Sequence, residues 1–438
     1  MIGRDRAPTA QETFMQMAQA AGLRGRLLVT VGILILIRLG MRGIPIPNID
    51  RARFAADVSS GNNPIVGILD IFSGGGIRAV GLFALGILPF INASIIIQLL
   101  TAAIPSLENL QKNEGEAGRR KISQITRYVA LGWAIIQSTS ISAFWLSRYA
   151  SSPGPIFIAQ TALALTAGSM FVMWASEVVT EKGIGNGASL VIFANIVSTL
   201  PNSLSQTLRL VDSNRDTVGR VVLFILILLL TVVGIVFVQE AIRRIPIISA
   251  RRQVGKRVFS EQRSYLPLRL NQGGVMPIIF AAAILSLPLL IEQFINNPGY
   301  STFVNTYLSP NGNQSWAYIL VYLVSIVFFS YFYSSLIMNP VDVAQNLKKM
   351  GSSIPGIRPG KATSEYIERV LNRLTLLGAI FLGLIAIVPT VVEQILNVPT
   401  FRGLGATSLL ILVGVAIDTA KQIQTYVISQ RYEGMVKQ

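Results

Sequence analysis

The chain has 438 residues, of which 51% are hydrophobic and 13% are charged, whereas soluble domains carry about 25% charged residues. Cysteine and histidine are both absent, so thiol chemistry, imidazole catalysis, haem ligation and the usual zinc sites lose their ligands. The formal net charge is +16, and the apolar composition indicates a protein that crosses a membrane several times.

Hydropathy predicts ten membrane-spanning helices, because each apolar stretch approaches the ~18 residues that cross a bilayer. Their predicted bounds are about 27–46, 77–104, 128–147, 156–177, 187–203, 219–239, 274–295, 316–338, 374–393 and 405–427. Most of the 37 Lys and Arg residues fall at the two termini and in alternate loops, which places both termini in the cytoplasm. Because each half has five spans, an odd number, the second half crosses the membrane in the opposite orientation to the first. The sequence therefore predicts an all-α, polytopic membrane protein of two inverted five-helix halves, residues 1–205 and 206–438.

A short apolar segment precedes the second predicted span. It comprises Ile65, Val66, Gly67, Ile68, Leu69, Asp70, Ile71 and Phe72. At about eight residues it cannot cross a bilayer. Asn62-Asn63-Pro64 before it is a helix-start signal, and Ser73-Gly74-Gly75-Gly76 after it predicts a flexible hinge. A surface amphipathic helix and a re-entrant helix shielded by protein both fit this pattern.

One motif occurs in both halves of the sequence. Gly86–Ala93 (GILPFINA) and Gly274–Ala281 (GVMPIIFA) share Gly, two apolar residues, Pro, any residue, Ile, any residue and Ala. Each lies near the start of a predicted span. The repeat favours two related halves whose matched helices face each other across an axis in the membrane plane.

Branched aliphatic side chains occupy this repeated motif. Ile87, Ile91 and Ile279 are predicted to point toward the axis between the halves. A ring of such side chains would exclude water and ions by dewetting while offering no hydrogen bond to a solute. The alternative is that they face lipid or pack within the bundle. The neighbouring Pro89 and Pro277 favour the ring, because proline is tolerated where a helix lines a cavity.

Charged residues are absent from the middles of the second and seventh predicted spans. Glu177, Glu181 and Lys182 cluster at the cytoplasmic end of the fourth span, and Glu292 and Glu393 lie near external ends. Intramembrane charges usually mark ion and proton pathways. The pattern therefore disfavours an ion-driven carrier, although broken helices can also coordinate ions through carbonyls.

The sequence carries no motif for an energy source. Gly356–Thr363 (GIRPGKAT) has one residue too few between its glycines for a phosphate-binding loop, and Ala362 follows Lys361 where Ser or Thr is needed. Gly183–Gly187 follows no predicted strand and indicates a turn. We therefore expect no enzyme activity, no cofactor and no metal, and any driving force must come from a partner.

Two predicted cytoplasmic loops, 240–273 and 339–373, are strongly basic. Their Lys and Arg residues are Arg243, Arg244, Arg251, Arg252, Lys256, Arg257, Arg263 and Arg269 in the first loop, and Lys348, Lys349, Arg358, Lys361, Arg369 and Arg373 in the second. Topology and lipid-headgroup contacts explain most charged loops. These loops are longer than a helix connection requires, and Pro355–Gly360 would stiffen a tip that presents Arg358. Such a surface suits phosphate backbones or acidic proteins.

Five motifs resemble the SecY family, the central channel subunits of bacterial protein translocases. They are Phe72–Gly75 (FSGG), Leu88–Leu100 (LPFINASIIIQLL), Glu114–Gln124 (EGEAGRRKISQ), Glu181–Gly187 (EKGIGNG) and Pro355–Gly360 (PGIRPG). The resemblance covers nearly the whole chain. It implies an hourglass-shaped channel in which residues 65–72 form a plug, and signal sequences reach lipid through a lateral gate between the second and seventh spans.

The resemblance also implies particular site residues and partners. The pore ring maps onto Ile87, Ile91, Ala188, Ile192, Ile279 and Ile411; Ala188 departs from the mostly isoleucine pattern and puts that sector of the seal in doubt. The docking residues for the SecA motor and for the ribosome with its rRNA phosphates are Arg251, Arg252, Lys256, Arg257, Lys348, Lys349 and Arg358. Other expected partners are SecE, SecG, signal sequences, unfolded preproteins and lipids of the bacterial plasma membrane.

Two other functions fit parts of the sequence. An inverted-repeat secondary transporter for a small solute would need a midplane binding pocket, and a membrane scaffold would need no pore. The uncharged spans and the long basic loops disfavour the first, and the proline-bearing repeat disfavours the second.

Overall fold

The computed structural model describes residues 21–54, 73–77, 79–112, 114–213, 216–249, 253–254, 257–258, 263–292, 297–308, 315–396 and 406–436. The predicted plug, residues 65–72, lies outside the described residues, as do Arg251, Arg252 and Lys256 of the predicted docking set.

Helices make up the described part of the first half. Their bounds are α1 Ala21–Gly43, α2 Leu88–Ala103, α3 Pro105–Lys112, α4 Gly115–Ser140, α5 Pro155–Lys182 and α6 Gly187–Ser213. After α4 the chain continues through a π-helical turn, Ile141–Trp145, and a 3₁₀ turn, Leu146–Tyr149. A bend of 106° separates α2 from the short α3.

The second half combines helices with short strands. Its helices are α7 Asp216–Glu240, α8 Met276–Glu292, α9 Pro298–Phe303, α10 Ser315–Ile337, α11 Pro340–Lys349, α12 Lys361–Leu396 and α13 Ala406–Val436. Its strands are β1 Ile242–Ser249, β2 Gln253–Val254, β3 Arg257–Val258, β4 Arg263–Arg269 and β5 Ser352–Ser353. Proline in the first turn starts several helices of both halves, as at Pro89 in α2 and Pro340 in α11, because its fixed φ suits that position.

Each of the ten predicted spans overlaps one helix. The ten are α1, α2, α4, α5, α6, α7, α8, α10, α12 and α13. By length and hydropathy, five helices of the described residues could cross a membrane, or six if the bent pair α2–α3 is one span. Helix α1 is not among them, since every 18-residue window of Ala21–Gly43 carries three arginines.

The predicted start of the second span, at residue 77, is wrong. Turns occupy the described residues from 74 to 87, and α2 begins at Leu88. This apolar stretch pairs its backbone with the end of the loop after α1: Ile46 N–H donates to the Val80 carbonyl at 3.0 Å, and Leu82 N–H donates to the Ile44 carbonyl at 2.8 Å. These backbone hydrogen bonds hold residues 80–82 against the chain after α1, and they replace the hydrogen bonds that a longer α2 would make there.

The expectation of an all-α chain is also wrong, because the 240–273 loop contains an antiparallel hairpin. Strand β1 pairs with β4 from Ile242↔Arg269 to Ile248↔Arg263, and the end of β1 pairs with β5. Alternate residues of β1, Ile245 and Ile247, are buried against α12, which is the two-residue period of a strand with one covered face.

One hydrophobic core joins the two halves. It includes Ile37 of α1, Val172 of α5, Ile192 of α6, Phe280 of α8 and Leu410 of α13, all at most 2% exposed. The outward faces of the long helices remain apolar and exposed, as at Leu230 and Phe237 of α7, which are 70% and 75% exposed. Exposed apolar faces of this size are typical of helices that contact lipid.

Candidate functional site

The structure brings all six predicted ring residues into one region. Ile87, Ile91, Ile192, Ile279 and Ile411 belong to the same core cluster and are between 0% and 7% exposed. Ala188 is partly buried and packs against this cluster. The isoleucines come from the start of α2, from α6, α8 and α13, and therefore from both halves. None of the five lies on the outer surface where lipid would contact it.

A cavity of about 560 Å³ opens on one side of this cluster. Ile91, Ile192 and Ile279 line it together with Ala188, whereas Ile87 and Ile411 do not. We call this cavity the vestibule. The aliphatic cluster therefore separates the vestibule from the interior beyond it.

The other walls of the vestibule come from both halves and carry many polar side chains beside apolar ones such as Phe90 and Phe280. They include Ser94, Gln98, Ser123, Arg127, Glu177, Thr180, Glu181, Asn186, Ser189, Arg269, Gln272 and Asp418. By the predicted topology, this polar end faces the cytoplasm. The polar wall ends where the aliphatic cluster begins, so a solute entering from this side would lose its hydration partners at that boundary.

An ion pair fixes one wall of the vestibule. Arg127 Nε of α4 donates to Glu177 Oε1 of α5 at 2.9 Å, and these side chains are 43% and 19% exposed. A neighbouring bond within α2 joins Gln98 Nε2 to Ser94 Oγ at 3.1 Å. The Gln98 Oε1 atom and Gln272 Nε2 are buried without a protein partner. Water in a polar cavity of this size can satisfy such atoms.

The repeated motif has the same backbone in both halves. Gly86 and Gly274 have φ values of +56° and +58°, in the left-handed region that favours glycine. Each is followed three residues later by a proline at the start of a helix, Pro89 in α2 and Pro277 in α8. Ile91 and Ile279, each five residues after its glycine, belong to the same cluster and line the same vestibule.

The predicted docking residues that lie within the described part of the chain share one unit, which the predicted topology places in the cytoplasm. Lys348 and Lys349 are exposed at the end of α11, and Arg358 is exposed in the turn before α12. Arg257 lies in β3. Strand β5 follows α11 directly and pairs with β1, so the two basic loops that the sequence presents separately are joined by backbone hydrogen bonds.

A buried core supports this basic unit. Ile245 and Leu268 of the hairpin, Leu347 of α11, Ile354 after β5 and Ile367 of α12 pack together and are at most 5% exposed. The tip that carries Arg358 therefore stands on a packed base.

Sequence reasoning missed the partners of two charged residues. The Arg127–Glu177 pair joins positions 50 residues apart, and no local sequence pattern predicts it. Arg38, inside the first predicted span, donates from Nη1 to the Gly74 carbonyl at 2.9 Å. The position of Arg38 could have predicted such a contact, because an arginine within a span usually has a specific partner.

Solved structures of similar fold define the class of protein. The chain superposes on "The structure of a protein conducting channel" with a TM-score of 0.62 and 18% identity, covering 92% of both chains. It superposes on "Sec61 in the Canine ribosome-channel complex from the endoplasmic reticulum" with a TM-score of 0.59 and 17% identity, again covering 92% of both. The fold is therefore that of the protein-conducting channels, which are membrane proteins.

Sequence comparison identifies the family. The SecY family model matches residues 81–420. The chain is 68% identical over 440 residues to "Protein translocase subunit SecY" of Synechococcus elongatus and 64% identical over 446 residues to that of Synechocystis sp., with full coverage of both partners. The Aquifex aeolicus protein of the same name is 42% identical, covering 95% of this chain and 97% of its own. The chain belongs to the SecY family, which does not favour the alternative of a small-solute transporter.

Proposed function

We propose that this chain is a protein-conducting channel. It translocates unfolded secretory polypeptides across the bacterial plasma membrane and releases hydrophobic segments laterally into the bilayer. Family membership supports the general function. The single observation that carries the mechanism is the cluster of five buried isoleucines, drawn from both halves, of which Ile91, Ile192 and Ile279 line the vestibule.

The chemistry of this cluster suits a seal around a moving chain. Isoleucine side chains offer neither charge nor hydrogen bond, so a narrow passage between them is unfavourable for hydrated ions. The same side chains cannot bind one polypeptide sequence tightly through polar contacts. A translocating strand would displace them against each other and would be enclosed by apolar contacts. Ala188 offers less volume than the isoleucines, so we place the least tightly filled sector of the ring at α6.

The membrane architecture that we propose has ten spans in two inverted halves, 1–205 and 206–438, with both termini in the cytoplasm. Support comes from the ten helices that overlap the predicted spans and from the matched glycine conformations at Gly86 and Gly274. Residues 65–72 would form the plug on the external side of the ring.

A lateral gate would lie between α2 and α8, flanked by α4 and α10. A signal sequence that enters the vestibule would pass between these helices and partition into lipid, gaining about 0.8 kcal/mol per buried CH₂ group. The vestibule supports this assignment because residues of all four helices line it, among them Phe90 of α2, Ser123 of α4, Phe280 of α8 and Tyr333 of α10.

Partners would supply the driving force and complete the complex. We propose that the basic cytoplasmic unit docks the SecA motor and the ribosome, including rRNA phosphates, through Lys348, Lys349 and Arg358 and through the basic residues of 251–257. The exposure of Lys348, Lys349 and Arg358 on a packed base supports this, because exposed cations suit phosphate and acidic protein surfaces. SecE and SecG would be the membrane partners. We assign no catalytic step, cofactor or metal to this chain.

Site-specific crosslinking of a stalled export precursor tests the channel function. The chain has no native cysteine, so single cysteines can carry the photoprobe without background. A probe at Ile91 is expected to crosslink the stalled precursor. A matched probe at Ile135 of α4, which is 49% exposed on the outer surface, is expected to give no precursor adduct. A solute carrier or a scaffold would give no adduct at Ile91, and that result would overturn the proposal.

A further inference from the structure

A turn beside the predicted plug is attached to two helices of the first half. The turn, Ser73–Ile77, follows residue 72 directly. The Gly74 carbonyl accepts a hydrogen bond from Arg38 Nη1 of α1 at 2.9 Å. Ser198 Oγ of α6 also lies 3.4 Å from this carbonyl oxygen, although its single proton has a closer acceptor in the Asn195 carbonyl at 2.8 Å. Arg38 Nη1 also lies 3.5 Å from Asn195 Oδ1 of α6. The carbonyl group therefore binds the turn to α1 and lies against α6.

Close packing surrounds this carbonyl. Ser73 and Asn195 are both 0% exposed. Gly74 has a φ of +60°, and a Cβ atom at this position would lie 2.6 Å from Arg38 Nη1 and 2.8 Å from Asn195 Cα. Only glycine allows the turn to approach the guanidinium this closely.

The charge of Arg38 makes the contact unusual. Helix α1 overlaps a predicted span, and a guanidinium at membrane depth is costly unless it pairs with another group or with backbone carbonyls. Within the described residues, the partners of Arg38 are the oxygens of Gly74 and Asn195 and the sulfur of Met41, at 3.5 Å. These partners are neutral, and the closest of them, the Gly74 carbonyl at 2.9 Å, is supplied by the turn.

We propose that Arg38 is a positioning residue that holds the Ser73–Ile77 turn on α1 and α6 and thereby favours the closed state of the channel. The inference rests on the proposed function, in which the segment before Ser73 is the plug. Opening would have to release the Gly74 carbonyl from a charged donor. Hydrogen bonds to charged groups are stronger than neutral ones, so loss of the donor should raise the open population of the idle channel by about tenfold or more.

The test compares three variants of the purified translocase complex in planar bilayers. Arg38→Met keeps a long unbranched side chain but removes the donor, and it is expected to raise idle ion conductance by about tenfold. Arg38→Lys keeps a positive donor and should restore part of the seal. Arg24→Met is the matched control, because Arg24 is an exposed arginine of α1 fourteen residues before Arg38; its conductance should equal that of the parent chain.

A second readout separates positioning from folding. Export of a precursor with a defective signal should rise in Arg38→Met, while export of a normal precursor and the thermal midpoint of the complex change little. If Arg38→Met does not assemble, Arg38→Gln replaces it, since glutamine is too short to reach Gly74 but remains polar. Idle conductance at the parent level in a folded Met or Gln variant would overturn the inference. A Lys variant as leaky as the Met variant would also overturn it.

A positive control distinguishes this failure from failure of the channel proposal. Ile91→Asn combined with Ile279→Asn should leak if the ring is the seal. If the double variant raises idle conductance and Arg38→Met does not, the inference about Arg38 is rejected and the channel proposal is not. If neither variant raises idle conductance, the channel assignment itself is rejected.

Discussion

Thr30 of α1 accepts a hydrogen bond from the backbone N–H of Ile184 at 3.0 Å, across 154 residues of sequence. The hydroxyl in turn donates to the Arg26 carbonyl at 2.9 Å. The next residue of the same turn, Gly185, donates its N–H to Gln422 Oε1 of α13 at 2.9 Å. The motif Glu181–Gly187 therefore connects α1 to α13.

Thr30→Val should destabilise this connection. Valine has nearly the shape of threonine but no acceptor, so the buried N–H of Ile184 would lose its partner at a cost of roughly 1–3 kcal/mol. We expect a lower thermal midpoint in detergent. Thr425→Val is the control, because Thr425 is exposed and its hydroxyl bonds only within α13, to the Lys421 carbonyl. Equal midpoints for the two variants would contradict the assigned role of Thr30.

Gly187→Ala should prevent normal packing at the start of α6. A Cβ atom at this position would collide with the backbone carbonyl of Ser176 in α5, and a backbone atom cannot move aside cheaply. We expect a loss of folded protein equivalent to about 3 kcal/mol or more, measured as the yield of monodisperse protein after solubilisation.

The control for this glycine is Gly132→Ala in α4. Gly132 is exposed and helical, and its added Cβ would meet open space. Alanine should stabilise α4 by about 0.5–1 kcal/mol at this position. A Gly187→Ala protein that is as stable as the Gly132→Ala protein would show that α5 and α6 pack less closely than described.

Polar or glycine substitutions in the ring should open an ion leak. Replacing Ile91 and Ile279 with Asn or Gly removes aliphatic surface that disfavours water in a narrow passage. We expect higher resting conductance and export of precursors with weakened signals. Ile91→Leu with Ile279→Leu keeps the apolar volume and should retain the seal. Unchanged conductance in the Asn or Gly variants would argue strongly against the ring.

Arg358→Glu should impair export driven by SecA. The side chain is exposed in the turn before α12, so charge reversal would weaken contact with an acidic surface without disturbing a buried group. We expect slower ATP-dependent translocation into vesicles and normal folding of the channel. Arg148→Glu, on the opposite side in the predicted topology, is the charge-matched control. Normal SecA-stimulated transport by Arg358→Glu would refute the docking role.

Apolar stretches separated by charged loops predicted ten helical segments, and each of them overlaps a helix of the structure; that all ten cross a membrane stays a prediction. The repeated motif and the family resemblance both predicted Ile91 and Ile279 as ring residues, and the structure brings the two into one buried cluster; their role in a ring stays a prediction. The sequence failed at residues 77–87, where a strongly apolar stretch pairs with the chain after α1 instead of extending α2. Apolar composition alone does not distinguish a packed turn from a helix.

The β1–β4 hairpin was missed for a related reason. Its buried residues Ile245 and Ile247 are separated by a proline, and the adjacent pairs Arg243–Arg244 and Ile247–Ile248 obscure the two-residue period in the sequence. The Arg38–Gly74 and Arg127–Glu177 contacts were inaccessible in a different way. Each contact depends on which segments become neighbours in the fold, and a single sequence does not predict those neighbours.

The packed base of the basic cytoplasmic unit has a mechanical consequence. Ile367, Val370, Leu371 and Leu374 of α12 belong to the core that also holds the hairpin, and α12 continues for 36 residues in all, to Leu396. At 1.5 Å per residue such a helix is about 54 Å long. A force on the tip would therefore not be absorbed by a loose loop; it would be transmitted to α12, whose Leu382, Ile385 and Ala386 pack in the core that joins the two halves.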